Sequence, residues 1–291
     1  MGVETSSKPF TTLKIVAAIV LSIAVLILAQ VLALLIGQLF AELGVPAAVC
    51  NIFAGVLYVA FTFWGAELLC RKLLKTTLAQ MRVPKIQIHW LWLISAFAMP
   101  ALVLGMAVLT GGHWEINPLS AADLSETITG AICFYGLATG IVEELIFRGI
   151  IMRCLERRFN IQIAVIAPSV LFGLLHILGN DLDFISILQL LIAGSIVGIL
   201  FSLIACESNS IWNSAIVHAV WNMAMIGGIV HIGVESDSGS ILNFVLDNKS
   251  FLIGGGDFGI EASVISIFAY LIFIALALVR IHRKTPIKKA Q

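Results

Sequence analysis

Two carboxylates and a guanidinium stand close together in a segment that otherwise consists almost entirely of apolar residues. Glu143, Glu144 and Arg148 all lie in IVEELIFRG, residues 141–149. Glu144 and Arg148 are four residues apart, so on a helix they share one face and can form an ion pair. Glu143 is rotated by about 100° from Glu144 and is free for a different task. A carboxylate held beside a water molecule can act as a general base.

Two later apolar segments carry further polar groups with the same spacing. His176 follows Phe172 by four residues, and Asn222 follows His218 by four. Each pair therefore shares a helical face, and we expect Phe172 to pack beside His176. The N–H groups of an imidazole and an amide can stabilise a developing oxyanion. The sequence thus offers a candidate base, Glu143, on one segment and two candidate oxyanion donors, His218 and Asn222, together on another.

The segments that contain Glu143 and His176 are joined by a basic turn near residues 158–162. Both residues lie almost equally far along the chain from Phe159, on opposite sides of it. If the two segments form an antiparallel helical hairpin, Glu143 and His176 lie at a similar depth. We therefore expect the carboxylate to face the imidazole, with a water molecule between them.

The composition indicates the surroundings in which these polar groups must work. The chain has 291 residues, of which 60% are hydrophobic and 12% are charged, and its mean hydropathy is +1.05. Soluble domains contain about 25% charged residues, so the sequence predicts a polytopic membrane protein. The 17 basic and 17 acidic residues give zero net charge, which predicts no bulk attraction to nucleic acid and no nucleic-acid partner.

The pattern of apolar segments predicts an all-α transmembrane helix bundle with about eight spans in a single domain, residues 1–291. A spanning helix needs about 20 mostly apolar residues. The predicted spans are 14–40, 48–70, 90–110, 127–150, 161–179, 184–205, 211–231 and 259–280. The polar residues singled out above fall between 127 and 231, which we take as the catalytic core.

The distribution of Lys and Arg predicts the orientation of the bundle. Basic residues concentrate in the 71–88 loop, in the segment after the fourth span and in the C-terminal tail, which includes Lys288 and Lys289. The alternate loops 41–47, 111–126 and 180–183 contain none, and the 232–258 loop contains only Lys249. Cytoplasmic loops are enriched in basic residues, so both termini are predicted to be cytoplasmic. We expect the cavity between spans four, five and seven to be reached from that side.

Two pairs of glycines and one glycine-rich run predict local features of the bundle. Gly136 and Gly140, like Gly194 and Gly198, are four residues apart and allow two helices to pack closely. The run GGGDFG at 254–259 lacks the Lys-Ser/Thr of a phosphate-binding loop, so we interpret it as a flexible turn.

Three motifs in order on three hydrophobic segments resemble the CAAX protease and bacteriocin-processing family of intramembrane proteases, also called CPBP or Abi. The resemblance covers residues 127–231. The motif residues are Glu143, Glu144, Arg148, Phe172, His176, His218 and Asn222.

The resemblance implies hydrolysis of a peptide bond within the membrane. It implies that Glu143 is the base that activates water and that His176 helps to hold that water. His218 and Asn222 would then stabilise the oxyanion. The remaining motif residues would support the site: Glu144 and Arg148 as a pair, and Phe172 by packing.

The resemblance leaves a metal-free and a zinc-dependent mechanism open. There is no H-E-x-x-H sequence, which helical zinc proteases use, so we favour a site without a cofactor. The alternative is zinc bound by Glu143, His176 and His218 with an open fourth position.

The partners implied are the lipid bilayer and a peptide or protein substrate, which is lipid-modified or membrane-bound. The short loops favour a prokaryotic cell (inner) membrane. Two other functions also use buried polar residues: a proton-coupled membrane transporter and a non-catalytic immunity or scaffold protein with the same fold.

Overall fold

The computed structural model of the protein describes residues 10–284. The termini, and with them Lys288 and Lys289, lie outside the described residues. The helices are α1 (Thr12–Glu42), α2 (Ala47–Leu74), α3 (Trp90–Leu109), α4 (Ala121–Glu156), α5 (Ile161–Leu175), α6 (Phe184–Ser208), α7 (Ile211–Met225) and α8 (Val264–Lys284), with single helical turns at Ala79–Met81, Phe251–Gly254, Gly256–Phe258 and Ile260–Ala262.

The predicted helical membrane protein is confirmed, but the predicted number of spans is not. Six helices of residues 10–284 are long and apolar enough to cross a bilayer, namely α1, α2, α3, α4, α6 and α8. Helices α5 and α7 have 15 residues each, or about 22 Å, which is less than the ~30 Å hydrocarbon core. Hydropathy alone extended both helices too far, because apolar residues continue beyond Leu175 and Met225.

Glycines in the left-handed region follow the ends of these two short helices. Gly179 has a φ of 84° and Gly228 a φ of 77°, a conformation that glycine adopts without steric cost and that commonly follows a helix. Both helices that carry predicted site histidines therefore end earlier than a full span requires.

Polar side chains fix where the central helices begin. The side chain of Asn160 accepts a hydrogen bond from the backbone N–H of Ile163 at 2.9 Å, at the start of α5. Asp183 accepts one from Ser186 at 2.6 Å, at the start of α6. Ser210 caps α7 in the same way. Such caps satisfy backbone donors that the first helical turn leaves free.

Glycine allows the helices around the site to approach backbone to backbone, as their spacing predicts. A Cβ placed on Gly140 would lie 2.8 Å from the backbone nitrogen of Ala219, between α4 and α7. A Cβ on Gly198 would lie 2.9 Å from the Cα of Ser169, between α6 and α5. Since real Cβ atoms do not come this close, glycine at these positions sets the spacing of both helix pairs.

Helix α4 is not a uniform α-helix. Two π-helical stretches, Gly130–Ala138 and Leu145–Ile151, flank the α-helical segment Thr139–Glu144. Wide turns of this kind occur frequently at functional sites. The two adjacent glutamates lie at the end of the short segment between them.

The loops predicted to lie outside contain a small sheet that the sequence did not predict. Strand β1 (Gly112–Ile116) pairs antiparallel with β3 (Leu242–Leu246), and β2 (Val230–Gly233) pairs parallel with β3. The strands have four or five residues, too short for a clear alternation of polar and apolar residues. The fold remains a helical bundle, with this sheet across one end.

Candidate active site

A cavity of about 100 Å³ lies within the bundle between α4, α5, α6, α7 and the start of α8. It brings together the four residues that the sequence singled out for chemistry: Glu143, His176, His218 and Asn222. Most of the remaining wall is apolar or aromatic, and Phe172, Phe201 and Leu190 contribute to it. The three separate motifs therefore meet at one place.

The ion pair predicted from the four-residue spacing is present and fully buried. Nη1 of Arg148 donates to Oε1 of Glu144 at 2.7 Å, and both side chains are 0% exposed. Nη2 of Arg148 donates to the carbonyl of Gly198 at 2.9 Å, so the pair also joins α4 to α6. An ion pair deep in a low-dielectric interior requires additional hydrogen bonds of this kind.

Aromatic rings surround the guanidinium of Arg148. Its Cζ lies 4.8 Å from the ring centre of Phe172 and 5.3 Å from that of Phe201. A cation over an aromatic face is attracted by the ring quadrupole. These contacts hold Arg148 behind the cavity wall, where it supports Glu144 instead of meeting a ligand.

Glu143 has a different partner from the one that we expected. Its Oε2 lies 3.6 Å from Nε2 of His218, whereas no ion pair joins it to His176 among residues 10–284. The other ring nitrogen of His218, Nδ1, lies 3.2 Å from Oε1 of Glu144. His218 therefore bridges the two adjacent carboxylates. The hairpin geometry placed Glu143 and His176 on one cavity, but it could not show that α7 lies closer.

His176 is oriented by its own helix. Its Nδ1 lies 2.8 Å from the carbonyl oxygen of Phe172. Since a carbonyl only accepts, Nδ1 carries the proton and Nε2 remains for the cavity. The ring of Phe172 lies 4.4 Å from that of His176, the packing that their spacing predicts.

Asn222 is held at the cavity wall by α4. Its amide nitrogen donates to the backbone carbonyl of Tyr135 at 3.0 Å. An amide nitrogen carries two hydrogens, so a second N–H remains for a ligand. The carbonyl of Tyr135 lies in the π-helical stretch of α4, which links that irregularity to the site.

The histidines among the three candidate zinc ligands have other partners within the protein. Within residues 10–284, no group of three or more His, Cys, Asp or Glu residues is arranged to hold a metal ion. Both ring nitrogens of His218 face carboxylates, and one nitrogen of His176 is bound to a carbonyl.

Phe258 and Glu261 are among the cavity residues that sequence reasoning did not single out. Phe258 belongs to the glycine run interpreted as a flexible turn, and its ring lies 6.4 Å from that of His176. Glu261 follows at residues 260–262, just before α8. It lies inside the predicted last span, so the rule that selected Glu143 as an acidic residue in an apolar segment would also have selected it.

These two residues also show on which side of the bundle the cavity lies. The loop that carries them is one that the basic residues assign to the outside, and His176 stands at the outer end of α5. The lining therefore places the cavity towards the end of the bundle that carries this loop. A cavity lined by ionisable side chains, in a bundle with six helices long and apolar enough to cross a bilayer among residues 10–284, defines an integral membrane protein with a buried polar site.

The comparison with known proteins agrees with the motifs. Residues 125–224 match the family described as Type II CAAX prenyl endopeptidase Rce1-like. Over these residues the match supports the predicted resemblance to the CAAX protease and bacteriocin-processing family. A curated relative from Bacillus subtilis (strain 168), named "Putative membrane peptidase YdiL", is 25% identical over 165 residues, which are 55% of this chain and 64% of the relative. No solved structure matches the chain significantly.

Proposed function

We propose that the protein is an intramembrane endopeptidase that hydrolyses a peptide bond with water activated by Glu143. The observation that carries this proposal is the meeting of Glu143, His176, His218 and Asn222 around one cavity inside the bundle. The family match over residues 125–224 supports it, as does the relative whose name describes a membrane peptidase.

The contacts of the two histidines suggest how water is held and activated. With Nδ1 of His176 bound to a carbonyl, its Nε2 is left as an acceptor for one hydrogen of a water molecule. The carboxylate of Glu143 accepts the other hydrogen and removes it as the water oxygen attacks the peptide carbonyl. His218, 3.6 Å from Glu143, holds that carboxylate in position.

The negative charge that develops on the peptide oxygen needs donors that are already in place. Asn222 has an N–H group left for this role, and His218 offers Nε2–H once Glu143 has taken the proton. Glu144 and Arg148 do not reach the substrate. They fix His218 from behind through the 3.2 Å contact of its Nδ1 with Glu144.

This mechanism uses no metal ion, and its support is the partners of the two histidines: carboxylates for His218 and a backbone carbonyl for His176. The substrate is a peptide or protein that reaches a cavity within the bilayer, so it is itself membrane-bound or lipid-modified. We place the enzyme in a prokaryotic cell membrane, which the bacterial relative supports.

The proposal is tested by comparing cells that produce the wild-type protein with cells that produce Glu143→Gln at equal levels. Quantitative proteomics of the membrane fraction is expected to show an uncut precursor that accumulates only with Glu143→Gln. The matched control is Glu67→Gln, the same change at a partly exposed glutamate that pairs with Arg71 at the end of α2, and it should resemble the wild type. Identical proteomes in all three strains would contradict the proposal, and substrate-dependent proton flux in liposomes would then favour a transporter.

A further inference from the structure

The cavity contains a second carboxylate that the mechanism above does not use. Glu261 lines the same cavity as Glu143 and His176 but comes from a different part of the chain, the helical turn Ile260–Ala262. The sequence motifs do not include it, and the family match ends at residue 224. A carboxylate in an apolar wall is costly to bury, so its presence there calls for a function.

The surrounding structure holds Glu261 firmly. Its Oε2 accepts a hydrogen bond from Nε1 of Trp221 at 3.4 Å, and its backbone carbonyl accepts one from the hydroxyl of Tyr270 at 3.2 Å. The carbonyl of the preceding residue, Ile260, accepts from Ser266 at 2.7 Å. Helix α7 therefore holds the side chain of Glu261, and α8 holds the backbone of its turn.

The loop before Glu261 is also tied down. The backbone N–H of Asp183 donates to Oδ2 of Asp257 at 3.0 Å, and the N–H of Asp257 donates to Ser186 at 3.0 Å. These two bonds attach the glycine-rich run to the beginning of α6. The position of Glu261 against the cavity is thus a property of the fold.

The two carboxylates of the cavity have different electrostatic surroundings. Glu143 lies beside His218, with Glu144 and Arg148 behind it. Glu261 forms no ion pair within residues 10–284, and its titratable neighbours are His176, Glu143 and Tyr270. When two carboxyl groups in one site have such different environments, one suits the role of base and the other that of acid.

We propose that Glu261 is a further catalytic residue, the acid that donates a proton to the leaving amine. The inference rests on the proposed peptidase function. In the first step Glu143 takes a proton from water, and the new C–O bond turns the peptide carbonyl into an oxyanion.

In the second step the C–N bond breaks, and its electron pair on nitrogen takes the proton of Glu261. The carbonyl re-forms, so the products are a carboxylic acid and an amine. The proton that Glu143 received returns to Glu261 through the water that refills the cavity. Both groups are then restored, and no other reactant is needed.

The electrostatics of Glu261 agree with this role. Burial raises the pKa of Glu261 to about 7, an effect that the nearby His176 and the hydrogen bond from Trp221 only partly offset. A carboxyl group with a raised pKa is protonated below that pH and can donate near neutrality. The acid form is lost as the pH rises, so the wild-type kcat should fall on the alkaline side.

The test measures kcat and KM between pH 5 and 9 with the purified full-length protein in detergent. The probe is a quenched-fluorescence peptide spanning the cleavage site mapped by the proteomic comparison. Glu261→Gln should lower kcat by about 100-fold or more, the usual size of a general-acid effect, and should abolish the alkaline fall. Glu235→Gln, the same change at an exposed position of the outer loop, should behave as the wild type.

A second variant tests the role without removing the carboxylate. Trp221→Phe deletes the N–H that stabilises the charged form of Glu261, so the pKa of Glu261 should rise further. The alkaline limb of kcat should then move to higher pH, which a purely structural role of Trp221 would not cause.

The results separate this inference from the proposed function. If Glu143→Gln is inactive while Glu261→Gln keeps its kcat and its alkaline limb, the role of Glu261 is refuted and the peptidase function stands. A rise in KM alone would also refute it, because Glu261 would then bind substrate without donating a proton. If Glu143→Gln is fully active, the proposed function itself fails.

Discussion

At the scale of single residues, the structure contains two Glu–Arg pairs with the same four-residue spacing in very different surroundings. Glu144–Arg148 is fully buried, whereas Arg71 in the Glu67–Arg71 pair is 71% exposed. The four-residue spacing predicted the buried pair. It could not show that His218 bridges Glu143 and Glu144, because that contact depends on how closely α7 packs against α4.

The buried pair should matter for stability and the exposed pair should not. Arg148→Leu leaves the charge of Glu144 without its partner in an apolar interior, which typically costs about 3–5 kcal/mol. Arg71→Leu breaks the exposed pair, and such pairs contribute about 0–1 kcal/mol. Thermal unfolding in detergent should therefore show a markedly lower Tm for Arg148→Leu only. Equal Tm values for the two variants would show that burial of the pair adds nothing.

At the scale of helices and strands, the sequence predicted which helices exist better than it predicted where they end. The apolar pattern located every helix of the bundle, and the paired glycines correctly indicated close packing. The ends of α5 and α7 were misplaced because apolar residues continue past Leu175 and Met225, through turns that contain left-handed glycines. Glu261 was overlooked because the last predicted span was read for its apolar residues, although the loop before it folds back onto the cavity.

Close helix packing makes a prediction for Gly140, which lies between α4 and α7. Gly140→Ala forces a Cβ into the backbone of Ala219, next to His218, and overpacking of this kind typically costs about 1–3 kcal/mol. The variant should lose both stability and peptidase activity. Gly105→Ala is the control, since a Cβ there meets nothing within 4 Å, and it should be at least as stable as the wild type. Full activity of Gly140→Ala would mean that this contact does not position His218.

At the scale of the whole molecule, zero net charge conceals a strong asymmetry. The loops on the side of the sheet carry acidic residues and a single basic one, Lys249, while the opposite side carries nearly all the remaining Lys and Arg of the described chain. This asymmetry predicts that the sheet and the loop of Glu261 lie outside. The sequence predicted the orientation, but only the structure showed which half of the bundle contains the cavity.

The orientation can be tested with a membrane-impermeant thiol reagent on intact cells. In a variant whose native cysteines are replaced, Ser238→Cys in the exposed outer loop should be labelled from outside. Lys72→Cys, at the exposed end of α2, should be labelled only after the cells are opened. The reverse pattern would invert the bundle and place the cavity towards the cytoplasm.

The central proposal is that Glu143 activates water without a metal ion. The direct measurement is the turnover of the mapped peptide by purified wild type and Glu143→Gln, each treated with a chelator and with its zinc content determined. We predict that the metal-depleted wild type retains its full kcat, whereas Glu143→Gln, at an unchanged Tm, loses about 100-fold or more of it. The result would be contradicted if removal of one bound zinc abolished the wild-type activity and added zinc restored it. A Glu143→Gln variant as fast as the wild type would contradict it equally.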